Sequence, residues 1–352
     1  MPKGGHSIER EEVAIDSRRR RSLKTIAATG TAFVGAILFA ATGAAAQQPW
    51  SAQYVAAAEQ PSLDVFAQYT GLGKTGGTDL EIFRPSGTGE FAQFSIFVPT
   101  GFDLGLSRAA GTKIGTLIAW ETAGTPHVGA ITADDPGKHP ADACSPGTHL
   151  AVWMLAPSGM SSLPAYIDQT SGSETALGGY KIVICVPSSA TSGLTLDQFD
   201  IAPNLTNPSS SGFYLWRVFV TPYLGGVPNP SGAYELRSRE PLPISLSLRG
   251  RYVRGRAVLT GQLVTPAVST TGIFINLFTE RSGHFNYTTY TQTRSGGRYS
   301  FSRRIRKTTR FYAEVSSFRS CQEATVAPAG CISETMVSVS SSNVRVRVPK
   351  RR

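Results

Sequence analysis

The chain has 352 residues, 41% hydrophobic and 16% charged, with 36 glycines, 22 prolines and a formal net charge of +10. A charged fraction below the about 25% usual for soluble globular chains, together with abundant turn formers, excludes helical bundles, coiled coils and charge-rich disordered chains. What remains is a β-rich protein with enough residues for two domains.

In chain order, the first predicted element is an export leader over 1–46. Its basic collar ends in Arg18, Arg19, Arg20, Arg21, Ser22, Leu23 and Lys24, and an uncharged Ala/Gly/Thr-rich run follows from Thr25 to Ala46. Ala44 and Ala46 supply the small residues that a signal peptidase accepts, so cleavage is expected after Ala46. The string RRRRSLK resembles a twin-arginine signal, with Arg19 and Arg20 as the pair; Ser22 departs from the Phe usual there. General secretion and an uncleaved anchor are the alternatives, because 22 uncharged residues can span a bilayer.

After a linker over 47–60, residues 61–240 read as an acidic β-sandwich; 47–240 hold 9 Lys/Arg against 16 Asp/Glu. Strands are expected at 63–69, 91–98, 113–120, 127–133, 149–155, 164–169, 179–186 and 212–220, with one helical turn over Asp197–Ile201. Gly71, Leu72, Gly73, Lys74, Thr75 and Gly76 match a glycine-rich phosphate loop. The pattern needs a following helix whose amides face phosphate, whereas Asp79–Phe83 reads as a short strand, so this is a turn. His127, Asp134, His139 and His149 are weak metal-ligand candidates; their spacing fits no compact zinc pattern, and Pro136 and Pro140 mark a surface loop.

Prolines 228, 230, 241 and 243 punctuate the chain, and residues 241–352 read as a basic β-sandwich, with 18 Lys/Arg against 4 Asp/Glu. Ile244, Leu246 and Leu248 alternate with Ser245, Ser247 and Arg249, and Val344, Val346 and Val348 alternate with Arg345 and Arg347. Further strands are expected at 257–264, 273–279, 285–293, 298–306 and 309–316, giving an all-β chain of two antiparallel sandwiches. The stretch Thr293, Arg294, Ser295, Gly296, Gly297, Arg298, Tyr299, Ser300, Phe301, followed by Arg310, Phe311, Tyr312 and Ala313, resembles the hairpins of Ig-like or transthyretin-like domains of bacterial surface proteins. That resemblance covers the C-terminal third and implies architecture only.

Cys144, Cys185, Cys321 and Cys331 form an even set in a chain addressed to an oxidising compartment, so disulfides are expected in preference to metal ligation. Of three pairings, Cys144 with Cys185 and Cys321 with Cys331 close the shortest loops, worth roughly 4 and 3 kcal/mol.

No nucleophile elbow and no metalloprotease motif is present, so a non-catalytic binding or structural role, secreted or at the envelope and without cofactor, is expected. The best binding candidates are Arg303, Arg304, Arg306, Lys307 and Arg310, joined by Arg345 and Arg347 if their strand lies close. Guanidinium forks suit phosphate and carboxylate, and for an exported chain anionic envelope polymers or acidic glycans outrank nucleic acid. The expected outer face carries Arg304 and Arg306, with Tyr299, Phe301 and Ile305 inward. Alternatives are a secreted hydrolase centred on His127 to His149, and a protein-binding adhesin. Asn204-Leu205-Thr206 and Asn286-Tyr287-Thr288 are sequons expected to be silent after a bacterial-type leader.

Overall fold

A computed structural model describes residues 61–85, 88–139, 144–267, 269–323 and 331–349, with backbone alone for 318–323 and 331. The expected leader and its residues Arg19, Arg20, Ala44 and Ala46 lie outside the described residues. Nearly all the regular secondary structure of the described residues is β-strand.

The first part contains β1 (Ser62–Ala67), β2 (Thr75–Phe83), β3 (Phe91–Val98), β4 (Lys113–Glu121), β5 (Pro126–Asp134), β6 (Ala151–Pro157), β7 (Leu163–Gln169), β8 (Tyr180–Cys185), β9 (Leu196–Thr206), β10 (Gly212–Leu224), β11 (Val227–Pro228) and β12 (Tyr234–Leu242). They join in one antiparallel sheet, in the order β1-β2-β9-β4-β5-β6-β7-β8-β3-β10-β12, with the two-residue β11 paired to β10. The sheet bends into two layers: Phe94 on β3 meets Phe199 on β9 at 5.6 Å between ring centroids, six places apart in strand order. Strand β3 is buried on both faces, with Phe91, Phe94, Ile96, Phe97 and Val98 all within the core, as its apolar run requires for a central position.

Two segments depart from the sequence reading. Asp197–Ile201 forms no helical turn but the middle of β9, because Phe199, Ile201 and Leu205 recur at alternate positions and all enter the core. Asp197, Asp200 and Asn204 lower the strand propensity without breaking that period. The helical turn of this region is Ser189–Ser192 instead. The proline-marked stretch before 243 also holds a full strand, β12. Its inward positions are Leu236, Ser238, Glu240 and Leu242, so two polar residues hide the alternation.

The second part contains β13 (Ser245–Val253), β14 (Arg256–Val264), β15 (Phe274–Arg281), β16 (His284–Gln292), β17 (Arg298–Arg304), β18 (Thr309–Val315), β19 (Phe318–Glu323), β20 (Cys331–Met336), β21 (Val339–Ser340) and β22 (Val344–Val346). A three-stranded sheet β13-β14-β17 faces a sheet ordered β16-β15-β18 with β21 and β22 on the far side of β18. Leu246, Leu248, Leu259 and Phe301 from one sheet and Ile275, Leu277, Phe311 and Val346 from the other share one core. This is the strand order of an immunoglobulin-like sandwich.

The hairpin β19–β20 is inserted between the last two long-range partners of that sandwich, β18 and β22, and leaves it. Strand β20 pairs in parallel with β12, extending the first sheet. The two hydrophobic cores change over between Leu242 and Ile244, and this borrowed hairpin is a second connection across the joint. The N–H of Val65 on β1 donates to Ser238 Oγ at 3.1 Å, Ser238 and Ser333 hydroxyls lie 2.8 Å apart, and Ser333 donates to Leu63 O. Ser238 Oγ accepts from both the Val65 N–H and the Ser333 hydroxyl, and the Ser333 hydroxyl points between Ser238 Oγ and the Leu63 carbonyl. Ser238→Ala is expected to cost about 1–3 kcal/mol, because it strands the buried Val65 N–H of β1. A urea midpoint unchanged by the substitution would refute this.

Candidate anion-binding site

The four weak metal candidates are not brought together. His127 Nε2 lies 2.6 Å from Glu121 Oε1 and its Nδ1 2.7 Å from Ser158 O. His139 Nε2 lies 2.9 Å from Asp134 Oδ2. His149 Nδ1 lies 2.9 Å from Asp168 Oδ2, with Nε2 3.0 Å from Ser145 O. Each imidazole has its own carboxylate, and among the described residues no group of three His, Cys, Asp or Glu could hold a metal ion. The hydrogen bond that His127 donates to the Glu121 carboxylate, then that to the Ser158 carbonyl, raises its pKa above the ordinary value. The hydrogen bond from His139, then the Asp135 backbone N–H, lowers that of Asp134. For His127 and His149 the second ring nitrogen faces a backbone carbonyl, which fixes the ring and leaves no hydroxyl to activate.

Cys144 and Cys185 are disulfide-bonded, with Cα atoms 6.3 Å apart. The expected Cys321–Cys331 pair falls outside the described side chains; on the backbone, Glu323 is opposite Cys331 and Cys321 opposite Ser333.

The basic residues are positioned by three turns at one pole of the C-terminal sandwich. Two are two-residue hairpin loops: Arg254-Gly255 between β13 and β14, and Ser282-Gly283 between β15 and β16. All four residues have positive φ, as the tightest hairpin turns demand. The third turn links β17 to β18 and carries Arg306 and Lys307. Ile305 N–H donates to Gly255 O at 3.1 Å, which holds the first and third turns together. Val348 N–H donates to Thr308 Oγ1 at 3.3 Å, which brings Arg347 to the same end. The opposite pole carries the joint to the first part and the β19–β20 insertion, so the basic pole is distal to both.

This geometry gathers the basic residues differently from the single sheet face expected. Strand β17 ends at Arg304, so Arg306 belongs to the turn and not to an outer strand face. Arg303 is half-buried on the side of Tyr299 and Phe301, since it shares their parity. Arg310 lies opposite Arg345 in the other sheet, and its guanidinium reaches Glu280 at 3.5 Å. The pole thus joins two sheets, with Arg304 on one and Arg310 and Arg345 on the other.

The sequence reading missed a contribution from the outer face of β13-β14-β17. Arg249, Arg251, Arg256, Arg298 and Arg304 are exposed there, interleaved with Ser245, Ser247, Thr260, Ser300 and Ser302. Arg256 Nε donates to Ser302 Oγ at 2.7 Å, which sets its guanidinium against the sheet. No Asp or Glu occurs in any of the three strands. The signal available in the sequence was Arg249 and Arg251 at the outward positions of the alternation that puts Leu246 and Leu248 inside. Arg256 and Arg304 are cross-strand neighbours, and Arg249 and Arg251 lie at alternate positions of one strand, about 6.8 Å apart.

Arg254 is the sharpest local signal. Its φ of 45° lies in the left-handed region, where the favoured residues are Asn, Asp and Gly. A long cation is held at a turn tip despite that backbone cost, and it points the charge of the β13–β14 hairpin outward at the distal pole.

No protein-family model matches the sequence, and no curated protein is similar to it. Among solved structures, the chain is similar at 8% identity and a TM-score of 0.25 to domains D2 and D3 of the major pilin SpaD from Corynebacterium diphtheriae, covering 78% of this chain and 88% of that one. The full-length SpaD pilin gives 8% identity and a TM-score of 0.26 over 82% of this chain and 67% of that one. A tetra-tandem repeat from the extending region of a large adhesion protein gives 10% identity and a TM-score of 0.20 over 81% and 74%.

Proposed function

We propose that the chain is an exported, non-catalytic binding module that holds anionic envelope polymers or acidic glycans at the distal pole of its C-terminal sandwich. The observation that carries this reading is the three-stranded sheet β13-β14-β17, which presents five exposed arginines and no carboxylate. Like charges gathered without counter-ions raise the local anion concentration and steer polyanions to the surface. Guanidinium forks then take phosphate or carboxylate oxygens in pairs.

The test is retention of the full chain by immobilised inorganic polyphosphate and polygalacturonate across a salt series. Binding is expected at low salt and to fall steeply as salt rises, because each neutralised anion releases a counter-ion. A variant carrying Arg251→Ser, Arg254→Asn and Arg304→Ser is expected to bind at least tenfold more weakly. Asn at 254 suits the turn, so weaker binding would not report a broken hairpin. Retention that is unchanged in this variant, or absent at low salt, would overturn the proposal. Turnover of either polymer, lost on His139→Ala, would favour the hydrolase reading instead.

A further inference from the structure

The outer face of the opposite sheet has a different chemistry. Across β16, β15 and β18, register places Tyr287, Phe278 and Tyr312 in one row perpendicular to the strands. Phe278 and Tyr312 are stacked at 4.6 Å with planes 3° apart, and Tyr287 meets Phe278 edge-on at 6.0 Å. Phe285 packs against Tyr312 at 4.9 Å, and Phe274 against Tyr290 at 5.2 Å, which extends the aromatic strip along the strands. Tyr287 and Tyr290 remain 56% and 58% exposed. Rings that brace one another while facing solvent are preorganised, and their outward faces carry the negative side of the ring quadrupole. An exposed patch of this kind on a sheet that needs no further cover marks a contact surface.

The strip is interleaved with amides and hydroxyls. Asn276 lies directly between Tyr290 and Glu314, and Gln292 lies opposite Phe274. Among the described residues the hydroxyls of Tyr287 and Tyr290 have no hydrogen-bond partner. A protein partner closing over this face would strand those polar groups unless it answered each one. A pyranose answers both chemistries: its C–H face lies on a ring, and its hydroxyls reach the amides around it. The strip also runs directly into the cationic pole. Arg310 is the next outward residue on β18 before Tyr312, and Arg345 lies opposite it.

We infer that the occupant is an acidic polysaccharide, whose sugar rings stack on the Tyr287–Phe278–Tyr312 strip while its anionic groups reach the arginines of the adjoining pole. This inference rests on the anion-binding reading above and narrows it from polyanions in general to glycans. It predicts that ring-bearing and ring-free polyanions use different parts of the sandwich.

The experiment compares polygalacturonate with inorganic polyphosphate, using the full chain, the double variant Tyr287→Ala/Tyr290→Ala, and Tyr287→Phe/Tyr290→Phe. The alanine variant is expected to bind polygalacturonate at least tenfold more weakly with polyphosphate unchanged, and the phenylalanine variant to recover most of the loss. Both tyrosines are more than half exposed, so truncation leaves the core intact; an unchanged thermal midpoint checks this. If both polymers bind and neither responds to the alanine substitutions, the glycan inference fails while the anion-binding reading stands. If neither polymer binds, the anion-binding reading fails and takes the inference with it. Equal loss of both polymers, or self-association of the parent chain that the alanine variant abolishes, would overturn the stacking role.

Discussion

Cys185→Ser is expected to lower the unfolding free energy by about 4 kcal/mol, the chain-entropy value for a bridge closing 41 residues. The bridge fastens the segment before β6 onto the outer face of β8. There Cys144 and Cys185 pack with Met154 against Val152, Tyr166 and Val183, a small apolar cluster separate from the main core. The same segment is also tied by polar contacts. Gln93 Nε2 donates to Cys144 O at 3.1 Å, and His149 is fixed between Asp168 and Ser145 with its ring 4.4 Å from that of Tyr166. These contacts act on the folded state, whereas the bridge acts chiefly on the unfolded ensemble, so the two effects are separable. Denaturant unfolding of the single variant under oxidising conditions gives the bridge alone, since a reductant would open any other bridge as well. A loss under about 1 kcal/mol would show that the unfolded chain already holds this loop closed.

The legible strands were those with a near-continuous apolar run or an uninterrupted alternation of apolar and polar residues. Strand β3 was expected at 91–98 and occurs there, because Phe91, Phe94, Ile96 and Val98 leave no other reading. Strand β12 escaped because Ser238 and Glu240 occupy inward positions, where sequence pattern expects apolar residues. Their burial makes sense only with β1, β10 and the inserted hairpin in place, and those partners lie far away in sequence. The hairpin β19–β20 escaped for a similar reason: it does not belong to the sheet of its sequence neighbours. Arg303, Arg304, Arg306, Lys307, Arg310, Arg345 and Arg347 were recognisable as a set from charge alone. Their assembly at one pole depends on three turns meeting, which no local pattern encodes. The aromatic strip was hidden by a related ambiguity. Phe274 and Phe278 alternate with Ile275 and Leu277, so β15 reads as a strand apolar on both faces, and only the partner strands show that one face is open.

Glu240 is expected to make the protein less stable as pH rises from about 4.5 to about 7. The side chain is buried where the two cores meet, beside a small gap lined by Phe66, Thr70, Ile244, Thr335 and Val337. Burial pushes its pKa up to about 7; the Trp216 indole N–H, 2.8 Å from Oε2, and the Ala67 backbone N–H favour the charged form without offsetting that burial. Oε1 has no hydrogen-bond partner among the described residues. Below pH 4.5 the carboxyl is protonated in both states and contributes no pH dependence. Between 4.5 and 7 the unfolded chain gives up the proton that the folded chain keeps, so folding becomes progressively less favourable. Above about 7 the full loss, about 3 kcal/mol, is present. Glu240→Gln keeps an acceptor for Trp216 and removes the titration. Its buried amide costs a fixed amount, so it shifts the whole profile without bending it. The measurement is the unfolding free energy of parent and Glu240→Gln at pH 4, 5, 6, 7 and 8. His127, whose pKa is raised by Glu121, also loses its contribution as pH rises past 6.5, but that slope is common to both proteins and cancels in the difference. The lowered pKa values of Glu90 and Asp134 act only at the acid end and cancel likewise. The difference is expected to favour the glutamine variant increasingly from pH 5 to 8. A flat difference would mean that water reaches Oε1 through the gap between the cores and lets the carboxylate ionise at its ordinary pKa, and the joint would then be a wet contact held by the Ser238–Ser333 hydrogen bond and the β12–β20 ladder.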